Sequence, residues 1–341
     1  MQAWARDVNA DSPGSFDLLH YDDASDPTTV RAVTRRLIVD DRVDILIGPY
    51  SSVLTSAAAE VAEAHGKLLW NQGGASDRVY QKGYHWTVGI LTPASRYLTG
   101  LLPLVRQADP SAGTVALVRA SSGEFPKAVC SGVEASAKES GFATVLATEF
   151  PASTKDFSGV LEELRAAKPD VVVMVGRVAN DLLLARQFVE SGISAGAAVT
   201  VAAGIQAFQD DLGNLVDRFV GPSQWEPEAD YTPDFGPTAN QVIASLRGDG
   251  HRHIDYPLAQ AYAAGVVIQR CLEETGAADS QSLREAASEL DFSTFYGRFK
   301  IDGETGRQTG REVLLVQWQG GRKVIVWPPH LAQANLIYPW R

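Results

Sequence analysis

Ser52, Gly73, Ala75 and Ser76 stand directly after two short apolar runs, in the stretch between Asp44 and Asp77. The runs are Ile45-Leu46-Ile47 and Leu68-Leu69-Trp70, and an alanine-rich segment joins them. This is strand, turn, helix, strand, turn, with small polar residues after each strand. In open parallel α/β sheets, ligands bind in the crevice beyond the carboxyl ends of the strands. A helix opening near Ser52 aims unbonded backbone N–H groups and a positive dipole end at that place, which suits a carboxylate or another anionic head. The hydroxyls of Ser52 and Ser76 could add hydrogen bonds, or could simply cap the elements that follow them. Trp70 closes the second strand and could pack in the core or touch a ligand. No nucleophile stands beside a base here, so the chemistry is binding rather than bond breaking.

Other constellations fail on chemistry. His251, His253 and Asp255 sit in a glycine-rich loop after Gly248-Asp249-Gly250 and read as solvated rather than as a metal site. There is no Gly-x-Ser-x-Gly elbow and no Gly-Lys-Ser/Thr phosphate loop. Cys130 and Cys271 lie in helical patterns and read as two unpaired thiols. No metal and no cofactor is expected. A net charge of −11 with pI near 5.0 argues against nucleic acid as a partner. No apolar run approaches the roughly 18 residues that span a bilayer. No export leader is legible, since Met1 is followed by the charged, amphipathic Gln2-Ala3-Trp4-Ala5-Arg6-Asp7.

The elements that must position these residues alternate along 341 residues, a length that fits two lobes better than one core. Residues 1–10 read as the end of a helix, stopped at Asp11-Ser12-Pro13-Gly14, and Phe16–Tyr21 reads as a strand. A helix over Thr28–Asp40 precedes the segment described above. Strands are expected at Tyr84–Val88, Thr114–Arg119, Thr144–Glu149, Val171–Val175, Ala198–Ala202 and Phe219–Ser223. Helices are expected at Pro93–Gln107, Phe125–Ser140, Phe157–Lys168, Asn180–Ser191 and Gln206–Leu212. This predicts an α/β fold with two doubly wound parallel sheets. Helices follow around Pro237–Arg247, Pro257–Glu274 and Ser282–Glu289. The tail Thr294–Trp327 alternates apolar and polar residues across glycine turns, which is antiparallel hairpin chemistry.

Over nearly its full length the chain resembles the leucine/amide type of substrate-binding protein of ABC importers, with the type I periplasmic binding fold. YDDASDP (Tyr21–Pro27), DILIGPYSS (Asp44–Ser52), WNQGGASD (Trp70–Asp77) and KPDVVVMVGR (Lys168–Arg177) carry the likeness. So do QWEP (Gln224–Pro227), AYAAGVVIQRCLEE (Ala261–Glu274), TFYGRFKID (Thr294–Asp302) and VLLVQWQGGRKVIVWPP (Val313–Pro329). The resemblance implies two lobes joined by three crossovers, with ligand taken into the cleft by hinge closure. Lobe 1 is then about 1–113 plus 226–308, and lobe 2 about 114–225 plus 309–341. Family members begin with an export signal and a first strand, and this chain starts in the helix after that strand. The expectation is a lobe 1 sheet short of one central strand, and a natural protein that is longer and exported.

The resemblance also assigns roles. Ser52 matches the hydroxyl that holds a ligand carboxylate, and Gly73, Ala75 and Ser76 match the second loop, with Ala75 standing where a hydroxyl is usual. Phe125 matches an aromatic lid on lobe 2. Trp225 and Tyr256 sit near crossovers and could line the cleft. Arg177 stands where the family often has an aromatic, and its guanidinium could grip a carboxylate with two bonds. Gly204 stands where amino-acid-binding members place an acid for the ligand's ammonium. This favours a carboxylate, an amide or an amino-acid derivative with an apolar body, unless Glu124 or Glu226 substitutes. The implied function is non-enzymatic capture of a small ligand outside the cytoplasm and its delivery to membrane permease subunits. A cytosolic amide or metabolite sensor of the same fold is the alternative.

Overall fold

Asp26 and Ser51 mark where the first helices after the turns must begin. The computed structural model describes residues 1–11 and 16–340. It opens with α1 (Gln2–Asp11), α2 (Pro27–Val39), β1 (Leu46–Ile47), α3 (Ser52–Ala64), β2 (Leu69–Asn71) and β3 (Thr87–Gly89). The Asp26 carboxylate accepts from the Thr29 amide, and Pro27 occupies a first-turn position where its missing N–H costs nothing. Ser51 does the same for α3 through the Leu54 amide. The strands β1, β2 and β3 pair in parallel in that order, so their carboxyl ends share one edge.

The expected strand at Phe16–Tyr21 does not form. A strand exists by pairing its backbone, and among the described residues β1 pairs only with β2. Phe16 is instead held by Asn9, whose side-chain amide donates to the Phe16 carbonyl (2.7 Å) and accepts from its N–H (2.9 Å). Its ring packs on Trp4 with 4.6 Å between centroids. The expected stop at Ser12-Pro13-Gly14 lies outside the described residues. Among the described residues this sheet holds three strands.

Beyond Pro93 come α4 (Leu101–Ala108), β4 (Thr114–Ala120), α5 (Glu124–Ser140), β5 (Ala143–Phe150), α6 (Ser158–Ala167) and β6 (Val171–Val175). Then follow α7 (Val178–Glu190), β7 (Ala197–Thr200), a 3-10 turn at Val201–Gly204, α8 (Gln206–Leu212) and β8 (Val220–Ser223). The helix expected over Pro93–Gln107 is split into a 3-10 turn, Ala94–Arg96, and α4. Pro103 explains the late start, because proline is tolerated only in a helix's first turn. The chain continues with α9 (Ala239–Gly248), α10 (Tyr256–Thr275), α11 (Ser280–Glu289), β9 (Phe292–Thr294) and β10 (Gly297–Phe299), and ends with β11 (Leu314–Gln319) and β12 (Arg322–Trp327).

Two compact units result: Met1–Pro93 with Asp230–Arg311, and Ala94–Ala229 with Glu312–Arg341. The chain passes between them at three places, as expected, but the borders differ. Residues 94–113 belong to the second unit, where Gly132 of α5 lies so close to the Ser95 backbone that no Cβ would fit. The first unit's core joins Leu68, Trp70, Val88 and Ile90 to Ala264, Val267 and Ile268 of α10. The second unit's core includes Val118, Met174, Phe188, Phe219, Trp318 and Trp340.

The second sheet has seven strands in the order β12-β11-β8-β7-β6-β4-β5. The strands from β5 to β8 are parallel, and β11 runs antiparallel to both β8 and β12. The chain moves from β4 out to β5 and back past β4 to β6. The carboxyl ends of β4 and β6 therefore flank the switch point, where open α/β sheets take ligands.

Candidate functional site

In the first unit the loops after β1 and β2 are tied to one another. The Ser51 N–H donates to the Gly73 carbonyl at 3.1 Å, and the Ser76 N–H donates to the Ser52 hydroxyl at 2.9 Å. Gln72 reaches the Gly48 carbonyl at 3.1 Å. Gly73 is required, since a Cβ there would lie 2.6 Å from the Pro49 carbonyl. Gly74 is equally confined, with a Cβ falling 2.5 Å from Thr55. Ser51 holds φ at 100°, a left-handed conformation that costs a non-glycine residue of order 1–3 kcal/mol and recurs at ligand clamps. Among the described residues the N–H groups of Ser52 and Val53, at the start of α3, have no acceptor.

Asn71 builds the second loop, and sequence reasoning missed it. Its Oδ1 accepts from Gly73 (3.2 Å) and Gly74 (2.8 Å), while Nδ2 donates to the Gly74 carbonyl and the Tyr80 hydroxyl, both at 2.8 Å. In the sequence only its place directly before Gln-Gly-Gly hints at this role; its complete burial belongs to the fold. Tyr50 and Val53 stand on the same loop, each 55% exposed, and so offer an apolar rim. The Tyr50 phenol is hydrogen-bonded to Tyr256, which opens α10 and is itself buried.

Ser52, Gly73, Ala75 and Ser76 are thus brought together, all buried or nearly so, with Tyr256 linked to them through Tyr50. Trp70 is not with them. It is wholly buried in the core against α10 residues, because β2 is covered on that face. Its indole is core, and it drops out of the site.

In the second unit, Phe125 follows β4 and Arg177 follows β6, one on each side of the switch point. Phe125 is half-buried and meets Tyr97 edge-on at 5.4 Å between centroids. Arg177 is exposed, and among the described residues its guanidinium has no hydrogen-bond or ion-pair partner. Its backbone is fixed, since its N–H donates to the Asn180 side chain at 3.3 Å and its carbonyl accepts from Asp181. Val178 beside it is 48% exposed.

Gly204 closes the turn after β7 and has no room for a side chain, its Cβ position meeting the Pro222 carbonyl. Its own carbonyl accepts from the Lys323 ammonium at 3.0 Å. The same ammonium pairs with Glu226 at 2.9 Å, both groups largely buried. Glu226 is therefore already neutralised within its unit. Trp225 is wholly buried, with its carbonyl accepting from the Ser223 hydroxyl at 2.8 Å, and so is framework. Cys130 and Cys271 are free, buried thiols, and burial pushes each up to about 12.

Two α/β units, each closing its strands with short loops at one edge, are the architecture of bilobal binding proteins. The family model described as periplasmic binding protein matches residues 1–323, and the chain belongs to that family. It is 25% identical over 338 residues to the Leu/Ile/Val-binding protein homolog 7 of Brucella suis, covering 93% of this chain and 82% of that one. Homolog 8 of Brucella abortus is likewise 25% identical, over 340 residues, 94% of this chain and 82% of the relative. Among solved structures, the leucine binding protein of Thermotoga maritima superposes with a TM-score of 0.80 at 17% identity, over 95% of this chain and 91% of that one. A solute binding protein of R. palustris in complex with 4-hydroxybenzoate gives 0.79 at 17% identity, covering 95% and 88%. These superpositions fix the fold, mixed α/β with mostly parallel sheets.

Proposed function

We propose that this protein is the substrate-binding component of an ABC importer, and that it holds a small carboxylate with an apolar or aromatic body. The observation that carries the reading is the pair of clamped loops in the first unit. They present the open amides of Ser52 and Val53, at the positive end of α3, beside the Ser52 hydroxyl and the apolar rim of Tyr50 and Val53. The second unit carries, at its own switch point, an exposed guanidinium, Arg177, and an aromatic ring, Phe125.

Ligand charge follows from the same groups. A buried ammonium needs an anion. Gly204 supplies none, and the ammonium that Glu226 pairs with is Lys323. An α-amino acid therefore finds its carboxylate partners, but neither Gly204 nor Glu226 offers a counterpart for its amine, which leaves Glu124, beside Phe125, as the remaining candidate. The relatives' names include both kinds of cargo, isoleucine for a branched-chain amino acid transporter protein of Streptococcus pneumoniae and 4-hydroxybenzoate for the R. palustris protein. The chain's own electrostatics favour the second kind. The protein acts by binding rather than by catalysis, outside the cytoplasm, and hands its ligand to permease subunits. The sensor alternative gains nothing from these relatives.

A thermal-shift panel of benzoate, 4-hydroxybenzoate, short amides, leucine and isoleucine tests the reading. A ligand that binds only the folded state raises the melting temperature with dose. Stabilisation by the carboxylates and not by the amino acids is expected. Stabilisation by leucine or isoleucine alone would overturn the charge argument.

A further inference from the structure

Asp181 is a carboxylate wholly inside the second unit, with no charged partner among the described residues. It sits in the first turns of α7, 2% exposed. One oxygen accepts from the Gly176 N–H at 2.6 Å, just beyond β6, and the other accepts from the Ala202 N–H at 3.1 Å, just beyond β7. The Thr200 hydroxyl, itself buried, lies near the same carboxylate. β6 and β7 are neighbours in the sheet, so a single side chain spans the ends of two adjacent strands. Those ends carry Arg177 on one side and the Val201–Gly204 turn on the other.

We propose that Asp181 is the positioning residue of this edge: its carboxylate holds the two strand-end amides together and so fixes the backbone that presents Arg177 to the ligand. The inference rests on the binding function proposed above. A strand-end loop tied only by its own chain would let the Arg177 backbone drift, and an ångström of drift undoes a bidentate contact. An ionised carboxylate accepts both amides strongly, whereas protonation gives one oxygen a donor proton and makes it a weaker acceptor, which loosens its hold on that loop. Among the described residues no charged group acts on this carboxylate. Its neighbours are Thr200 from β7, the two amides, and from α5 the Cys130 thiol, which is neutral, and α8 brings it no charge. Burial pushes the group up to about 7, against the pull of its hydrogen bonds, so the clamp switches in an accessible range.

The test follows the amide resonances of Gly176 and Ala202 between pH 5.5 and 8.5 in the intact protein, together with the affinity for 4-hydroxybenzoate. Both amides are expected to titrate with one shared midpoint, and the wild-type dissociation constant to tighten at least fivefold from pH 6 to pH 8. Asp181→Asn should abolish both trends and bind at the weaker level throughout. Thr200→Val removes a hydroxyl that holds neither loop, so it should raise the shared midpoint and keep the pH dependence. Separate midpoints, or amides that do not titrate, overturn the clamp without any variant having to fold. A shared midpoint with a flat wild-type affinity overturns its role in binding. If 4-hydroxybenzoate does not bind at any pH, the binding reading fails, and the amides still decide the clamp.

Discussion

Ser52→Ala removes one oxygen with two jobs. In the free protein that oxygen accepts the Ser76 N–H at 2.9 Å, in a buried place. Alanine leaves that N–H without an acceptor, a loss of about 1–3 kcal/mol of stability. For a domain of this size, each kcal/mol lowers the melting temperature by about 2–4 °C. In the proposed complex the hydroxyl proton, unused by the Ser76 bond, would donate to the ligand carboxylate. Losing that bond and loosening the loop weakens binding by about 1–3 kcal/mol, or about 5- to 150-fold in the dissociation constant. Calorimetry reads the first effect as a melting shift, and titration with 4-hydroxybenzoate reads the second. Ser52→Thr, which keeps the hydroxyl, should restore most of both. A lowered melting temperature with unchanged affinity would make Ser52 a clamp and not a ligand contact. No change in either would refute the geometry.

Arg177→Ala should weaken a carboxylate ligand by about 1–3 kcal/mol and leave the melting temperature of the free protein nearly unchanged, because the side chain is exposed and unpaired. Arg177→Lys should recover only part of that affinity in the same titration, since a lysine cannot form two parallel bonds. Trp70→Phe should destabilise the first unit while leaving affinity within about twofold. The indole is wholly buried among core residues, and its N–H has no acceptor to lose. A large affinity loss in that variant would return Trp70 to the site. Asp181 makes stability fall with pH. Its native value is raised to about 7 by burial, so its contribution is fully present below about pH 4 and is lost as pH rises through 7. Wild-type melting temperature, measured against Asp181→Asn by calorimetry from pH 4.5 to 8, should decline more steeply. Parallel curves would contradict this.

Continuous apolar runs and turn residues were legible in the sequence. Val171–Val175 is a strand as expected, because a run buried on both faces admits few other readings. Gln206–Leu212 is likewise a helix. Phe16–Tyr21 was misread because its strand pattern needs a neighbour to pair with, and propensity does not show whether one exists. The start of α4 was misplaced because apolar spacing extends upstream of Leu101, although Pro103 already bounds the first turn. The small-residue loops were legible as tight strand-end turns because glycines mark close backbone approach, as at Gly73 and Gly74, and their part in binding is the proposal above. Asn71 and Asp181 were not, since their roles depend on which amides the fold delivers to them. Trp70 and Trp225 show the converse: an aromatic residue near a loop reads as a ligand contact until the packing around it is known.

The central claim is that the chain binds a carboxylate that carries no ammonium. Isothermal titration of the intact protein with 4-hydroxybenzoate and, separately, with isoleucine tests it most directly. The account predicts a saturable one-to-one isotherm for the first, weakened in Arg177→Ala, and no measurable heat of binding for the second. Tight binding of isoleucine, with none of 4-hydroxybenzoate, would contradict it.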